Sequence, residues 1–101
     1  MLFLVQSTVN PPATMPKQEW DTLAQAESDY GIGKRRAGEL VDIWRVAGRY
    51  AAASIWNAVD NDHLHQLISG LPMFAYADFT ITALATHPST IRWNQILADE
   101  K

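Results

Sequence analysis

Two adjacent prolines, Pro11 and Pro12, close off an apolar, β-branched opening, and that break orders everything after it. Residues 2 to 9 read Leu-Phe-Leu-Val-Gln-Ser-Thr-Val, a strand pattern, and a proline cannot donate to a sheet ladder, so the strand ends at Asn10. Pro16 is admissible in the first turn of a helix, with acidic Glu19 and Asp21 near the positive end of its dipole. Trp20, Leu23, Ala24, Glu27, Tyr30 and Lys34 recur at the spacing of one helical face, which predicts a helix from about Pro16 to Ala37 with Gly38 as its C-terminal cap. Gly31 and Gly33 interrupt it, each at a cost of about 1 kcal/mol relative to alanine, so a bend or break is expected there.

Leu40 to Ala47 and Tyr50 to Val59 are apolar runs joined at Gly48-Arg49, the pattern of an antiparallel hairpin. Asp60, Asn61 and Asp62 offer caps for a second helix of about ten residues, striped by Leu64, Leu67 and Ile68 and closed by Gly70 and Pro72. A last strand from about Tyr76 to Ala85 alternates Phe79, Ile81 and Ala83 with Asp78, Thr80 and Thr82, and residues 86–101 are left as a C-terminal tail. Strand, helix, strand, strand, helix, strand is the ferredoxin-like βαββαβ order of an α+β domain spanning 1–101, and right-handed crossovers put both helices on one face of an antiparallel sheet. The opposite face, assigned Leu4, Trp44, Trp56 and Tyr76, is too apolar for water, so a second subunit is expected to close it.

A chain of 101 residues builds one core, which excludes separate cofactor and substrate domains. The net charge of -3 is the wrong sign for a nucleic-acid binder, and the absence of cysteine removes thiolate chemistry and thiolate metal sites. The apolar run Met1 to Val5 is too short for a signal peptide or a membrane span, so a cytoplasmic protein with no membrane partner is expected. No phosphate loop is present, since Gly31-Ile32-Gly33 lies inside a helix, and His63, His65 and His87 lack ligand spacing, so neither a nucleotide cofactor nor a metal is expected.

Glu27 stands out because it interrupts the apolar stripe between Leu23 and Tyr30. Desolvation raises a carboxyl toward neutrality, the property of a group that takes and returns a proton; the alternatives are a structural pair with Arg45 or Arg49, or a side chain turned to solvent. Arg45 is placed among Val41, Ile43 and Ala47 on one strand face and needs an anion, which is a substrate carboxylate or else Glu27, Asp42 or a neighbouring subunit. Asp42 is a second carboxylate able to pair with Glu27 in acid/base work or to serve the hairpin alone. The four tryptophans belong to core, interface or the wall of an apolar pocket.

Several pieces together carry a family resemblance: Met1-Leu2-Phe3, Val9-Asn10, Pro12, Met15-Pro16, Glu27, Trp44-Arg45-Val46-Ala47-Gly48-Arg49-Tyr50, Ser54, His65, Gly70-Leu71-Pro72-Met73-Phe74, Tyr76 and His87-Pro88-Ser89. The chain resembles the muconolactone delta-isomerases over nearly its whole length. The resemblance implies a dimeric α+β barrel assembled into a ring-shaped decamer with active sites at subunit boundaries. It implies a cofactor-free proton shift in a butenolide: a proton leaves the carbon next to the lactone oxygen, hydrogen bonds stabilise the dienolate, and the proton returns beside the carbonyl. It maps the acid/base onto Glu27 and a carboxylate- or dienolate-binding arginine onto Arg45; Trp44, Tyr50, Ser54, Phe74 and Tyr76 are the candidate substrate-binding positions, joined by Asp42 from its place in the strand.

The chain also departs from the family pattern. Leu40-Val41-Asp42 stand where the family has Trp-Arg-His, Ala52 and Ala53 in the run Tyr50-Ala51-Ala52-Ala53-Ser54 replace an amide and a phenol, and Phe74-Ala75-Tyr76 lacks the central proline. Fewer polar groups imply a less acidic lactone or enone. Two other readings stay open: a cyclase, dehydratase or tautomerase of a larger polyketide-like substrate admitted by the three alanines, and a noncatalytic ligand-binding protein in which Glu27 is structural.

Overall fold

The parity of each strand decides which side chains meet the helices. The computed structural model describes residues 1–101, with β1 (Leu2–Val9), α1 (Lys17–Arg36), β2 (Leu40–Arg45), β3 (Ala51–Asn57), α2 (Asn61–Ser69), a 3-10 turn at Phe74–Tyr76, β4 (Ala77–Leu84) and α3 (Pro88–Asp99). The sheet is antiparallel in the order β2-β3-β1-β4. Phe3 pairs with Trp56, Val5 with Ser54 and Ser7 with Ala52, and this set faces the helices. The alternate set, Leu4 opposite Ile55 and Gln6 opposite Ala53, faces away. The βαββαβ order and the α+β class are those expected.

The core lies under α2. Phe3, Val5, Leu40, Trp56, Ala58, Leu64, Leu67 and Ile68 form one buried cluster, and burial of each large side chain contributes about 1.5–3 kcal/mol. Trp56 is therefore in the core and not on the bare face assigned to it. Its indole N–H donates to Ser54 Oγ at 2.9 Å, and that hydroxyl donates to the Val5 carbonyl at 3.1 Å, so the polar atoms buried with it are satisfied. Tyr76 also leaves the bare face: it sits in the 3-10 turn, edge-on to Trp20 with ring centroids 5.8 Å apart. Trp44 and Leu4 do occupy the outer face.

The first helix runs unbroken through Gly31 and Gly33, so the break expected there does not occur. Gly38 takes φ +78°, the left-handed conformation that ends a helix at little steric cost to glycine. The second helix is capped by Asp60, whose side chain accepts from the His63 N–H. Tyr30 ties the two helices by donating to the Leu67 carbonyl at 2.5 Å, and a Cβ at Gly70 would come within 2.6 Å of that hydroxyl.

Two boundaries differ from the sequence reading. The hairpin strands are shorter than predicted: residues 46–50 form the turn, so β2 stops at Arg45 and β3 starts at Ala51, and β3 ends at Asn57. Residues 88–99 of the tail are helical, with Pro88 in the first turn and His87 Nδ1 accepting from the Ser89 N–H. That helix buries none of its residues, and the molecule extends 59 Å along its longest axis. Trp93, Ile96 and Leu97 lie on one of its faces, all exposed.

Candidate functional site

The first helix buries no residue completely, although twenty residues long, because it rides over a cavity and not over packed side chains. The cavity holds about 270 Å³ between α1 and the helix-facing side of the sheet, and most of its wall is apolar. Four of the residues singled out in the sequence converge on it: Glu27, Arg45, Tyr50 and Ser54. Ser7 and Ser28 add hydroxyls that the sequence reading did not pick out. Alternation along β1 placed Ser7 beside Val5 and Val9, and Ser28 is the immediate neighbour of Glu27.

Glu27 reaches the cavity from the inward stripe of α1. Its Oε1 accepts one hydrogen bond, from the Met73 backbone N–H at 3.1 Å, and it forms no ion pair with Arg45 or Arg49. Burial raises its pKa above the ordinary carboxylate value, and the Met73 N–H opposes that rise without cancelling it. The partner comes from a chain segment 46 residues away, so no local pattern announced it.

Arg45 reaches the cavity through an irregularity in β2. Pairing with β3 shifts register between Leu40 and Asp42, so Leu40, Ile43 and Arg45 share the inner face, while Val41, expected beside Arg45, is solvent-exposed. The guanidinium has no carboxylate partner: the chain's ion pairs are Lys17–Asp21, Lys34–Glu39, Arg35–Asp42 and His63–Glu39. Its one hydrogen bond, to the Ala51 carbonyl, is 3.5 Å long, and it lies 5.2 Å from the Tyr50 ring centroid. It is exposed in the single chain and not buried.

Ser54 lies on the wall with its hydroxyl proton committed to Val5, so it can accept from a ligand but not donate to one. Trp44 and Asp42 stand on the outer face, and Asp42 pairs with Arg35 there, away from Glu27. Phe74 stacks on Phe79 and meets His65 edge-on behind the wall. Of the three alanines, Ala52 alone lines the cavity. No group of three histidine, aspartate or glutamate side chains is disposed to hold a metal ion.

This geometry coincides with a specific sequence family. Residues 1–90 match the family model described as muconolactone delta-isomerase. The chain belongs to the muconolactone delta-isomerase family. It is 41% identical over 92 residues to the Muconolactone Delta-isomerase of Cupriavidus pinatubonensis, covering 91% of this chain and 100% of that one. It is 39% identical to Muconolactone Delta-isomerase 1 of Acinetobacter lwoffii, covering 91% and 96%. A crystal structure of muconolactone isomerase superposes with a TM-score of 0.85 at 34% identity, covering 90% of this chain and 95% of that one. The chain is thus an intramolecular isomerase of the muconolactone type. No helix is long and apolar enough to cross a membrane.

Proposed function

We propose that this protein shifts a proton, and with it a double bond, in a butenolide carrying a free carboxylate, with Glu27 as the only acid/base. The observation that carries the reading is the pair of groups lining one cavity: a partly desolvated carboxyl with one backbone donor, and a guanidinium with no carboxylate of its own. An arginine left unpaired on a mostly apolar wall is suited to binding an anion. This reverses the sequence-based expectation of a less acidic substrate, because the acidic residue gained in β2, Asp42, is turned outward and neutralised by Arg35.

The reaction then needs one carboxylate. Ionised Glu27 takes the proton from the carbon next to the ring oxygen; the C–H electrons enter the ring and charge collects on the carbonyl oxygen as a dienolate. The protonated Glu27 returns the proton to the carbon beside the carbonyl, the conjugated double bond moves toward the ring oxygen, and the carboxylate is regenerated. A raised pKa makes Glu27 a stronger base than a solvated carboxylate and leaves its acid form able to give the proton back. The Ser7 and Ser28 hydroxyls lining the same cavity are donors suited to the dienolate oxygen. A cavity of about 270 Å³ suits a single five-membered ring with one side arm better than a polycyclic polyketide.

We also propose that the working form is an oligomer. The outer sheet face with Leu4, Trp44 and Ile55, and the Trp93, Ile96 and Leu97 face of α3, are apolar surfaces that a second copy would cover. The functional test is loss of muconolactone followed by ultraviolet absorbance, with Arg45→Met beside the wild type. The expected result is turnover whose KM rises at least tenfold in the variant; an unchanged KM would remove the anion-binding role.

A further inference from the structure

Arg45 is exposed and weakly tethered, yet an anion clamp must present its guanidinium in one place. What holds it is a chain of aromatic contacts that starts at Tyr50 on the cavity wall and leads away from the cavity. The Tyr50 ring lies 5.2 Å from the guanidinium carbon, within the range of cation–π attraction. Tyr50 itself is 45% exposed, so burial does not fix its ring. Its hydroxyl accepts from the Trp20 indole N–H at 3.0 Å, and the two rings meet edge-on with centroids 6.4 Å apart. Trp20 is in turn braced by Tyr76 on another side, 5.8 Å away and again edge-on. The line Tyr76, Trp20, Tyr50, Arg45 therefore joins the 3-10 turn, α1, the hairpin turn and β2.

We propose that Trp20, which does not touch the cavity, is a positioning residue that acts through Tyr50 to hold Arg45 for the carboxylate of the substrate. The bond from the Trp20 N–H to the Tyr50 hydroxyl fixes the tilt of the phenol ring, and that tilt decides where its face meets the Arg45 guanidinium. Trp20 lies seven residues, two helical turns, before Glu27 on the same face of α1, so one helix sets both the base and the anchor of the clamp. This inference rests on the isomerase reading and deepens it by assigning the substrate's anionic end to Arg45 as held by the aromatic line.

The test compares wild type, Trp20→Phe, Tyr50→Phe and the double variant on muconolactone and on its uncharged methyl ester. Phenylalanine keeps a ring at each position and removes the N–H or the hydroxyl. The expected result is a rise in KM for the acid of about fivefold in Trp20→Phe, with kcat within about twofold, no change for the ester, and a double variant no worse than Tyr50→Phe. An unchanged KM for the acid, an equal loss on acid and ester, or additive losses would each overturn the proposal. A wild type that turns over neither compound fails the isomerase reading itself, and is seen before any variant is compared. The positioning role is then decided by calorimetric titration of the acid: equal affinity in wild type and Trp20→Phe would overturn it.

Discussion

The two helices lie on the same sheet face and treat it oppositely. The nine residues of α2 bury Leu64, Leu67 and Ile68 against Phe3 and Trp56, whereas the twenty of α1 bury none completely and roof a cavity. Stability is concentrated under the short helix, and the proposed chemistry lies under the long one. The difference follows from what each stripe carries: leucine and isoleucine in α2, and Ala24, Glu27, Ser28 and Gly31 in α1, side chains too small or too polar to fill the space to the sheet.

The largest expected effect on the roofed half comes from Glu27→Gln, which keeps the shape and removes the base. Turnover should fall by about three orders of magnitude, the usual worth of a positioned acid/base. Stability should move the other way. Burial raises the carboxyl's folded pKa above its unfolded value, so the folded wild type favours the protonated form, and the stability this confers is present at low pH and lost as pH rises through the folded pKa. The variant should therefore melt higher than wild type at pH 7 and lose that advantage below about pH 4, the unfolded carboxyl range, in a thermal series. The same raised pKa should carry the acidic limb of kcat/KM above the ordinary carboxylate range.

On the packed half, Trp56→Ala should cost about 3–5 kcal/mol in denaturant unfolding, because it empties the core and strands the Ser54 hydroxyl's partner position. Ala52→Leu, which adds bulk on the cavity wall, should cost less than about 1.5 kcal/mol and abolish turnover. If both variants unfold with the same penalty, the two halves are not distinct.

A smaller effect sharpens the comparison within α1. A Cβ at Gly31 would meet Leu40 at an ordinary 3.7 Å, so Gly31→Ala should gain about 1 kcal/mol of helix stability while narrowing the cavity. The melting temperature should rise by several degrees as kcat/KM falls; a rise in both would mean that the space beside Gly31 is not used by substrate. For the apolar surfaces outside both halves, Trp93→Asp should lower the light-scattering mass, and a wild-type mass of one 11.3 kDa chain would end the oligomer proposal.

The legible and the hidden parts of the molecule divide on physical lines. Element order could be read because prolines, caps and periodicity are local signals, and Glu27 could be singled out because a carboxylate in an apolar stripe is a local anomaly. The face of Trp56 could not be read, since strand parity depends on cross-strand register and on the shift in β2 between Leu40 and Asp42. The Met73 N–H that meets Glu27, the Arg35 that removes Asp42 from the site, and the Trp20 bond to Tyr50 are all tertiary contacts. The third helix was announced by His87-Pro88, a cap before a first-turn proline, but its polar residues and its lack of any buried face masked it.

The central claim is that the Glu27 carboxylate carries the proton. The most direct measurement is proton NMR of muconolactone in deuterium oxide with wild type and Glu27→Gln at equal concentration, following the C–H next to the ring oxygen. The account predicts that wild type removes that proton and forms the enol-lactone, while the variant leaves the C–H intact. Loss of the C–H at the wild-type rate in Glu27→Gln would contradict it.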